Sequence, residues 1–110
     1  MRRDYKVFLE DILEAIRKVR DYTDGLSLKA FTADAKTFDA VVRNLEIIGE
    51  AVKQIPERIR SLRPEVDWRR IGRFRDILIQ QYFGVDVQIV WDIVQNKLAP
   101  LEQAMRALLQ

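Results

Sequence analysis

The spacing of apolar residues constrains the fold of this chain more than any other feature of its sequence. Apolar side chains recur every three or four positions over residues 3–24, 34–54 and 68–83, and again beyond Asp86. This is the period of an amphipathic α-helix, and no segment shows the strict alternation of a half-buried strand. A chain of 110 residues has room for one compact core. The pattern predicts an all-α fold in a single domain, residues 1–110, built as an antiparallel bundle of four main helices and one short helix.

Residues at the ends of these segments predict where the helices begin and end. Glycine favours the left-handed conformation that ends a helix, while serine and aspartate accept hydrogen bonds from the first turn of the next one. Residues suited to these roles stand at four ends: Gly25, Ser27, Asp67 and Asp86. Pro56 belongs near the first turn of the short helix, which Pro64 closes. Pro100 predicts a kink or a restart near Ala99.

Several predicted helices are apolar over more than half of their circumference. The clearest cases are Ile47-Ile48 and Ile77-Leu78-Ile79. One bundle interior of this size cannot bury every such face. We therefore expect two copies of the chain to form a homodimer by packing these faces together.

Two residue types that carry much of enzyme chemistry are missing. The absence of cysteine excludes disulfides and thiolate metal sites and favours a cytoplasmic protein. The absence of histidine excludes histidine general bases, Ser-His-Asp and Cys-His nucleophiles, and histidine metal sites. No apolar run approaches the ~20 residues that cross a bilayer. We expect no metal, no cofactor and no contact with a membrane.

A run of arginines makes one segment positively charged. Residues 57–76 contain seven arginines and four acids, so the net charge of this segment is +3. The remaining residues carry −1, which gives the whole chain its net charge of +2. Arginine without lysine favours bidentate recognition of phosphate or carboxylate. Arg69, Arg73 and Arg75 are the candidates for binding RNA or another anion. A solvated face that pairs with its own acids is the alternative. That alternative stays open for the first three arginines, Arg58, Arg60 and Arg63.

The third predicted helix interleaves polar side chains with isoleucine and leucine. At about 100° per residue, Arg75 and Tyr82 lie on nearly the same line of the helix, and Asp76 and Gln80 lie one turn apart on a neighbouring line. Burying an unpaired arginine is prohibitive, so Arg75 must face a partner, a cleft or a dimer interface. These four residues form the candidate site.

The second predicted helix offers supporting groups. Glu46 and Glu50 lie one turn apart, and Arg43 precedes Glu46 by three residues. A carboxylate here could orient Arg75 or simply pair with Arg43. An internal salt-bridge network is the structural alternative to a functional site.

Three segments of the sequence resemble the HepT-like branch of the HEPN superfamily. They are residues 39–51 (DAVVRNLEIIGEA), 64–79 (PEVDWRRIGRFRDILI) and 82–86 (YFGVD), in this order, and Val90-Trp91 follows the last of them. The resemblance covers almost the whole chain. It implies an all-α dimer that acts as the toxin of a toxin–antitoxin system and cuts RNA without a metal ion. It also implies a partner, a small nucleotidyltransferase antitoxin of the MNT type.

The resemblance also assigns roles to individual residues. The family motif is Arg-polar-x-x-x-His-x-Tyr, in which Arg75 matches the arginine and Asp76 the polar residue. Tyr82 matches the tyrosine, which the antitoxin of some members modifies with AMP. Gln80 stands where the family has its catalytic histidine. Because an amide does not exchange protons near neutral pH, we expect impaired cleavage, although Gln80 can still donate a hydrogen bond to phosphate.

Three functions are therefore open, and with them the question of whether the chain is an enzyme. The first is a ribonuclease-type toxin that cuts RNA poorly but still binds RNA and its antitoxin. The second is a non-catalytic adaptor that uses the same surface only to bind a nucleotidyltransferase. The third is a structural helical dimer with a fortuitous motif.

Overall fold

The computed structural model of the chain describes residues 4–73 and 86–110. This part of the chain consists of helices joined by turns and contains no β-strand. The helices are α1 (Tyr5–Thr23), α2 (Leu28–Ala33), α3 (Ala35–Gln54), α4 (Glu57–Arg60), α5 (68–73 as described), α6 (Val87–Asp92) and α7 (Leu98–Leu109). A π-helical segment, Ile93–Lys97, joins α6 to α7. The all-α fold predicted from the sequence is confirmed.

Three helices begin at capping residues that the sequence predicted, Ser27, Asp67 and Asp86, and α3 begins at one that it did not, Asp34. Four side chains each accept a hydrogen bond of 2.8–3.1 Å from a backbone N–H of the following first turn: Ser27, Asp34, Asp67 and Asp86. Gly25 follows α1 with a φ of 74°, the left-handed conformation that glycine adopts most easily. Since these signals are local, the predicted bounds of α1 and α3 agree with the structure to within two residues.

The proline predictions are confirmed only in part. Pro56 is the N-cap residue of α4, but that helix ends at Arg60, well before Pro64. The irregularity predicted near Ala99 is the π-helical segment, which ends at Lys97. Pro100 is the third residue of α7, which continues directly from the π-helical segment, so the proline lies just after an interruption of the regular α-helical hydrogen bonding.

The long helices α1 and α3 form the centre of the fold, and α7 packs on α1. α3 runs antiparallel to α1, because Tyr5 at the start of α1 lies beneath Arg58, just beyond the end of α3. α7 is also antiparallel to α1, since residues 23–26 and Ala99 line one surface groove. The fully buried side chains include Leu9, Ile12, Ile16, Val19, Val41, Val52, Val90 and Met105.

An aromatic cluster fixes the short helix α2. Phe31 is fully buried, with its ring centroid 5.7 Å from that of Phe38 and 5.1 Å from that of Trp91. These tilted contacts join α2 to both α3 and α6. In the described part of the chain, no helix combines the length and the hydropathy needed to span a membrane.

Candidate functional site

The motif at the end of the arginine-rich segment is not among the residues that the structure describes. Arg75, Asp76, Gln80 and Tyr82 lie outside residues 4–73 and 86–110, and so do Ile77-Leu78-Ile79. The structure instead gives the residues that lead into the motif, including the predicted RNA-binding residues Arg69 and Arg73.

The first turn of α5 is held in place by three contacts. The Asp67 carboxylate accepts a hydrogen bond from the Arg70 N–H at 3.1 Å. The indole of Trp68, which is only 8% exposed, donates to the Arg63 carbonyl oxygen at 3.0 Å. Gly72 is buried, and a Cβ there would lie 3.4 Å from Cγ of Lys53. The turn is therefore fixed to the end of α3.

The arginines of this turn carry charge that no acid among the described residues neutralises. Arg69 and Arg73 are exposed and lie one turn apart on the same side of α5, and Arg70 is exposed next to them. None of the three forms an ion pair with any described residue. Asp67, the nearest acid in sequence among the described residues, serves as the helix cap. Like charges at this spacing repel, so a bound anion would relieve the repulsion.

The preceding arginines are mostly unpaired as well. Arg63 lies 3.3 Å from Glu65, but that is the single ion pair recorded among the described residues of this segment. The guanidinium of Arg58 lies 5.6 Å from the ring centroid of Tyr5. The Nε of Arg60 is buried and has no hydrogen-bond acceptor. Of the six described arginines of this segment, Arg63 alone thus fits the alternative in which the arginines pair with acids of the same segment.

The supporting residues of α3 share a polar stripe. Arg43 pairs with Glu46 at 3.5 Å. The other role predicted for a carboxylate here, orienting Arg75, concerns a residue outside the described part of the chain. Glu50 is exposed, and Lys53 continues the stripe with the same helical spacing. The contact between Lys53 and Gly72 brings the start of α5 to the end of this stripe.

On α1 and α7, in contrast to α5, the arginines form ion pairs with acids. Arg17 lies 2.6 Å from both Glu14 and Asp21, and Arg20 lies 2.5 Å from Glu102. The hydrogen bond from Arg20 lowers the pKa of Glu102, and that from Arg17 lowers the pKa of Glu14. Within residues 4–73 and 86–110, no group of three or more acidic side chains is placed to hold a metal ion.

Comparison with known proteins identifies the family. The profile of the Ribonuclease HepT-like family matches residues 12–108. The chain belongs to the HepT-like ribonucleases. It is 46% identical over 102 residues to a "Probable ribonuclease HepT" of Thermococcus cleftensis, covering 93% of each chain. It is 45% identical over 97 residues to a "Putative RNase" of Methanocaldococcus jannaschii, covering 88% of this chain and 80% of the relative. No solved structure matches it significantly. The resemblance to the HEPN superfamily is thereby confirmed.

The residues that the sequence of this HepT-like chain predicted to bind RNA do not include three other arginines that form no ion pair with a described residue. They are Arg58, Arg60 and Arg70. The available signal was their position in the same positive segment as Arg69 and Arg73. That signal could not show whether nearby acids neutralise them, because pairing depends on distances between side chains.

Proposed function

We propose that this HepT-like protein is the RNA-binding toxin component of a toxin–antitoxin pair and that Gln80 impairs its cleavage of RNA. One observation carries the proposal. The arginines of residues 58–73 are largely unpaired and lead directly into the motif that begins at Arg75. Unpaired, exposed arginines attract RNA phosphates and bind them through planar, bidentate hydrogen bonds. The family membership supports RNA as the ligand.

The proposed impairment follows from the chemistry of metal-free cleavage, which needs two proton transfers. A base removes the 2′-hydroxyl proton as the 2′-oxygen attacks phosphorus, and an acid protonates the 5′-oxygen as its bond to phosphorus breaks. Arg75 is suited to stabilise charge on the phosphoryl oxygens, with Asp76 orienting it. Gln80 can donate a hydrogen bond but cannot act as base or acid, which typically costs ~10²- to 10⁴-fold in rate.

The proposal includes a dimer and a partner. We expect a homodimer with a cleft built around Arg75 of each copy, and an MNT-type nucleotidyltransferase antitoxin that modifies Tyr82. We expect residues 1–110 to act as one domain in the cytoplasm, in line with the absence of cysteine.

Two single variants, each with histidine in place of one of the adjacent residues Gln80 and Gln81, test whether catalysis is impaired. The Gln80→His variant should cut single-stranded RNA faster than the natural chain by about 10²-fold, because it regains a group that exchanges protons. The Gln81→His variant is the matched control: it adds the same side chain about 100° away on the helix and should not gain activity. Both variants should be purified free of the partner and assayed as dimers. Equal cleavage by the natural chain and the Gln80→His variant would refute the impairment.

The Arg75→Ala variant separates the toxin from the adaptor. Binding of labelled single-stranded RNA and binding of a co-encoded nucleotidyltransferase should be measured side by side. The toxin proposal expects RNA binding to fall. If RNA binding is unchanged while binding of the nucleotidyltransferase falls, the adaptor function is the correct one. If the natural chain binds no RNA, the proposal is wrong.

A further inference from the structure

One lysine of α3 lies across the start of α5. A Cβ at Gly72 would lie 3.4 Å from Cγ of Lys53 and 3.6 Å from its Cε, so the apolar stem of the lysine covers the glycine. Gly72 is buried, whereas Lys53 as a whole is exposed. Long lysine side chains pack their methylene groups on the protein and keep the ammonium in water. The contact therefore determines where along α5 this ammonium meets the solvent.

The point at which Lys53 crosses α5 lies beside the unpaired arginines. Gly72 directly precedes Arg73 and follows Arg69 by three residues, and residues three apart on a helix have Cβ positions about 5–6 Å from each other. The Nζ of Lys53 is one C–N bond of about 1.5 Å beyond Cε, so it lies within about 5 Å of the Cβ position at Gly72. The ammonium therefore lies no more than about 11 Å from the Cβ of Arg69, a distance that the long arginine side chain can largely close.

This edge of α5 carries a surplus of positive charge. It combines three exposed cations, Lys53, Arg69 and Arg73, and the described acids adjacent to them in sequence are two, Glu50 and Asp67. The Asp67 carboxylate already accepts a backbone hydrogen bond as the helix cap. Lys53 has an interaction partner within the protein, but its ammonium has three N–H donors, so it can bind a phosphate oxygen as well. The surplus charge and the additional donors favour an anionic ligand.

We propose that Lys53 binds a phosphate of the RNA strand and forms, with Arg69 and Arg73, one phosphate-binding surface built from both α3 and α5. This inference rests on the proposed RNA-binding function. The ligand is the sugar–phosphate backbone of single-stranded RNA. Because lysine binds phosphate as a point charge, Lys53 adds affinity and orients the strand without reading its sequence. The strand then crosses the junction of α3 and α5 and does not follow α5 alone.

A purely structural role for Lys53 would need its stem and not its charge. The Lys53→Met variant separates the two, because methionine keeps an unbranched apolar side chain over Gly72 and lacks the ammonium. The urea midpoint should change little, whereas the Kd for single-stranded RNA should rise about five- to tenfold, because a charge-assisted hydrogen bond is lost. The plot of log affinity against log salt should become shallower by about 0.7, the slope of one phosphate contact on a single strand. The Lys53→Arg variant keeps the charge and should retain both the affinity and the slope.

The experiment uses the full chain, purified free of any partner, and fluorescence anisotropy of a labelled single-stranded RNA of ~16 nucleotides over a range of salt concentrations. Urea unfolding of each variant is measured alongside. Lys36→Met is the matched control, because it removes the same charge from an exposed lysine of α3. Lys36 precedes Lys53 by 17 residues, which at ~1.5 Å per residue places it about 25 Å away along the helix. The control should leave the salt slope unchanged.

The possible failures are distinguishable. If the natural chain binds no RNA, the proposed function itself is wrong. If Arg73→Gln weakens RNA binding while Lys53→Met does not, the RNA-binding function stands and the role of Lys53 is wrong. Equal losses for Lys53→Met and Lys36→Met would show an effect of net charge alone and would overturn the local contact. A lower urea midpoint together with weaker RNA binding for Lys53→Met, or an equal loss for Lys53→Arg, would show that Lys53 acts only through its packing on Gly72.

Discussion

Replacing Trp68 with phenylalanine tests how the arginine surface is held in place. Trp68 is 8% exposed, and its indole N–H donates to the Arg63 carbonyl oxygen at 3.0 Å. This bond spans the link between α4 and α5, and the unpaired arginines lie on these two helices. Phenylalanine keeps an aromatic ring in the same position but removes the donor and part of the ring. The Arg63 carbonyl oxygen then loses its side-chain partner.

The expected loss of stability has two parts. The missing hydrogen bond costs about 0.5–1.5 kcal/mol, because the Arg63 carbonyl oxygen keeps a second donor, the Val66 N–H at 3.2 Å. The smaller ring leaves apolar contacts unmade, which costs a further ~1–2 kcal/mol. The free energy of unfolding should therefore fall by about 1.5–3.5 kcal/mol. Trp91→Phe is the matched control, because no described residue accepts a hydrogen bond from the Trp91 indole and only the ring term, about 1–2 kcal/mol, applies.

The assay is urea unfolding at one protein concentration, followed by far-UV circular dichroism and by fluorescence of the remaining tryptophan. The chain has two tryptophans, so each variant keeps one reporter. Trp68→Phe should also weaken RNA binding, whereas Trp91→Phe should not. Equal destabilisation by the two substitutions would refute the role of the hydrogen bond. A destabilised Trp68→Phe variant with full RNA affinity would refute its role in holding the arginines.

Three further predictions use the same unfolding assay. Asp67→Ala removes the acceptor for the Arg70 N–H and should cost about 1 kcal/mol, whereas Asp67→Asn should cost less; equal costs would contradict the cap. Gly25→Ala should cost about 1–2 kcal/mol through its φ of 74° alone, since no atom lies within 4 Å of the added Cβ, and an unchanged midpoint would contradict this. Arg20 lowers the pKa of Glu102 in the folded state. At pH values above the pKa that Glu102 has in the unfolded chain, the ionised carboxylate therefore stabilises the folded state, and this stabilisation is lost as the pH falls through the lower pKa of the folded state. The natural chain should therefore exceed Glu102→Gln in stability near pH ~7 but not near pH ~2, and a difference independent of pH would contradict the ion pair.

The helices were predictable where their signals are local. The bounds of α1 and α3 follow from apolar periodicity and from residues such as Gly25, which act through their own backbone and the adjacent turn. The end of α4 at Arg60 was not predicted, and the irregularity predicted near Ala99 lies earlier in the chain, as the π-helical segment Ile93–Lys97. Both depend on how neighbouring helices pack, which the spacing of residues along one helix does not contain.

The candidate site was predictable in its residue types and less so in its arrangement. Motif spacing identified Arg75 and Gln80, whose geometry stays a prediction because they lie outside the described residues. Arg69 and Arg73 were predicted to bind an anion, and both are exposed and free of ion pairs with described residues. The place of Lys53 beside them could not be predicted, since its contact with Gly72 exists only once α3 and α5 are packed together.

The sequence by itself determined three properties of this protein. It fixed the all-α class through its periodicity, excluded imidazole chemistry through its lack of histidine, and concentrated positive charge in residues 57–76. Only the tertiary structure decided which of the charges are neutralised. Arg20 meets Glu102, 82 positions away, whereas Arg69 and Arg73 meet no acid among the described residues. The physical reason is that Coulomb attraction depends on the distance between side chains in space, which the fold sets and the order of residues does not.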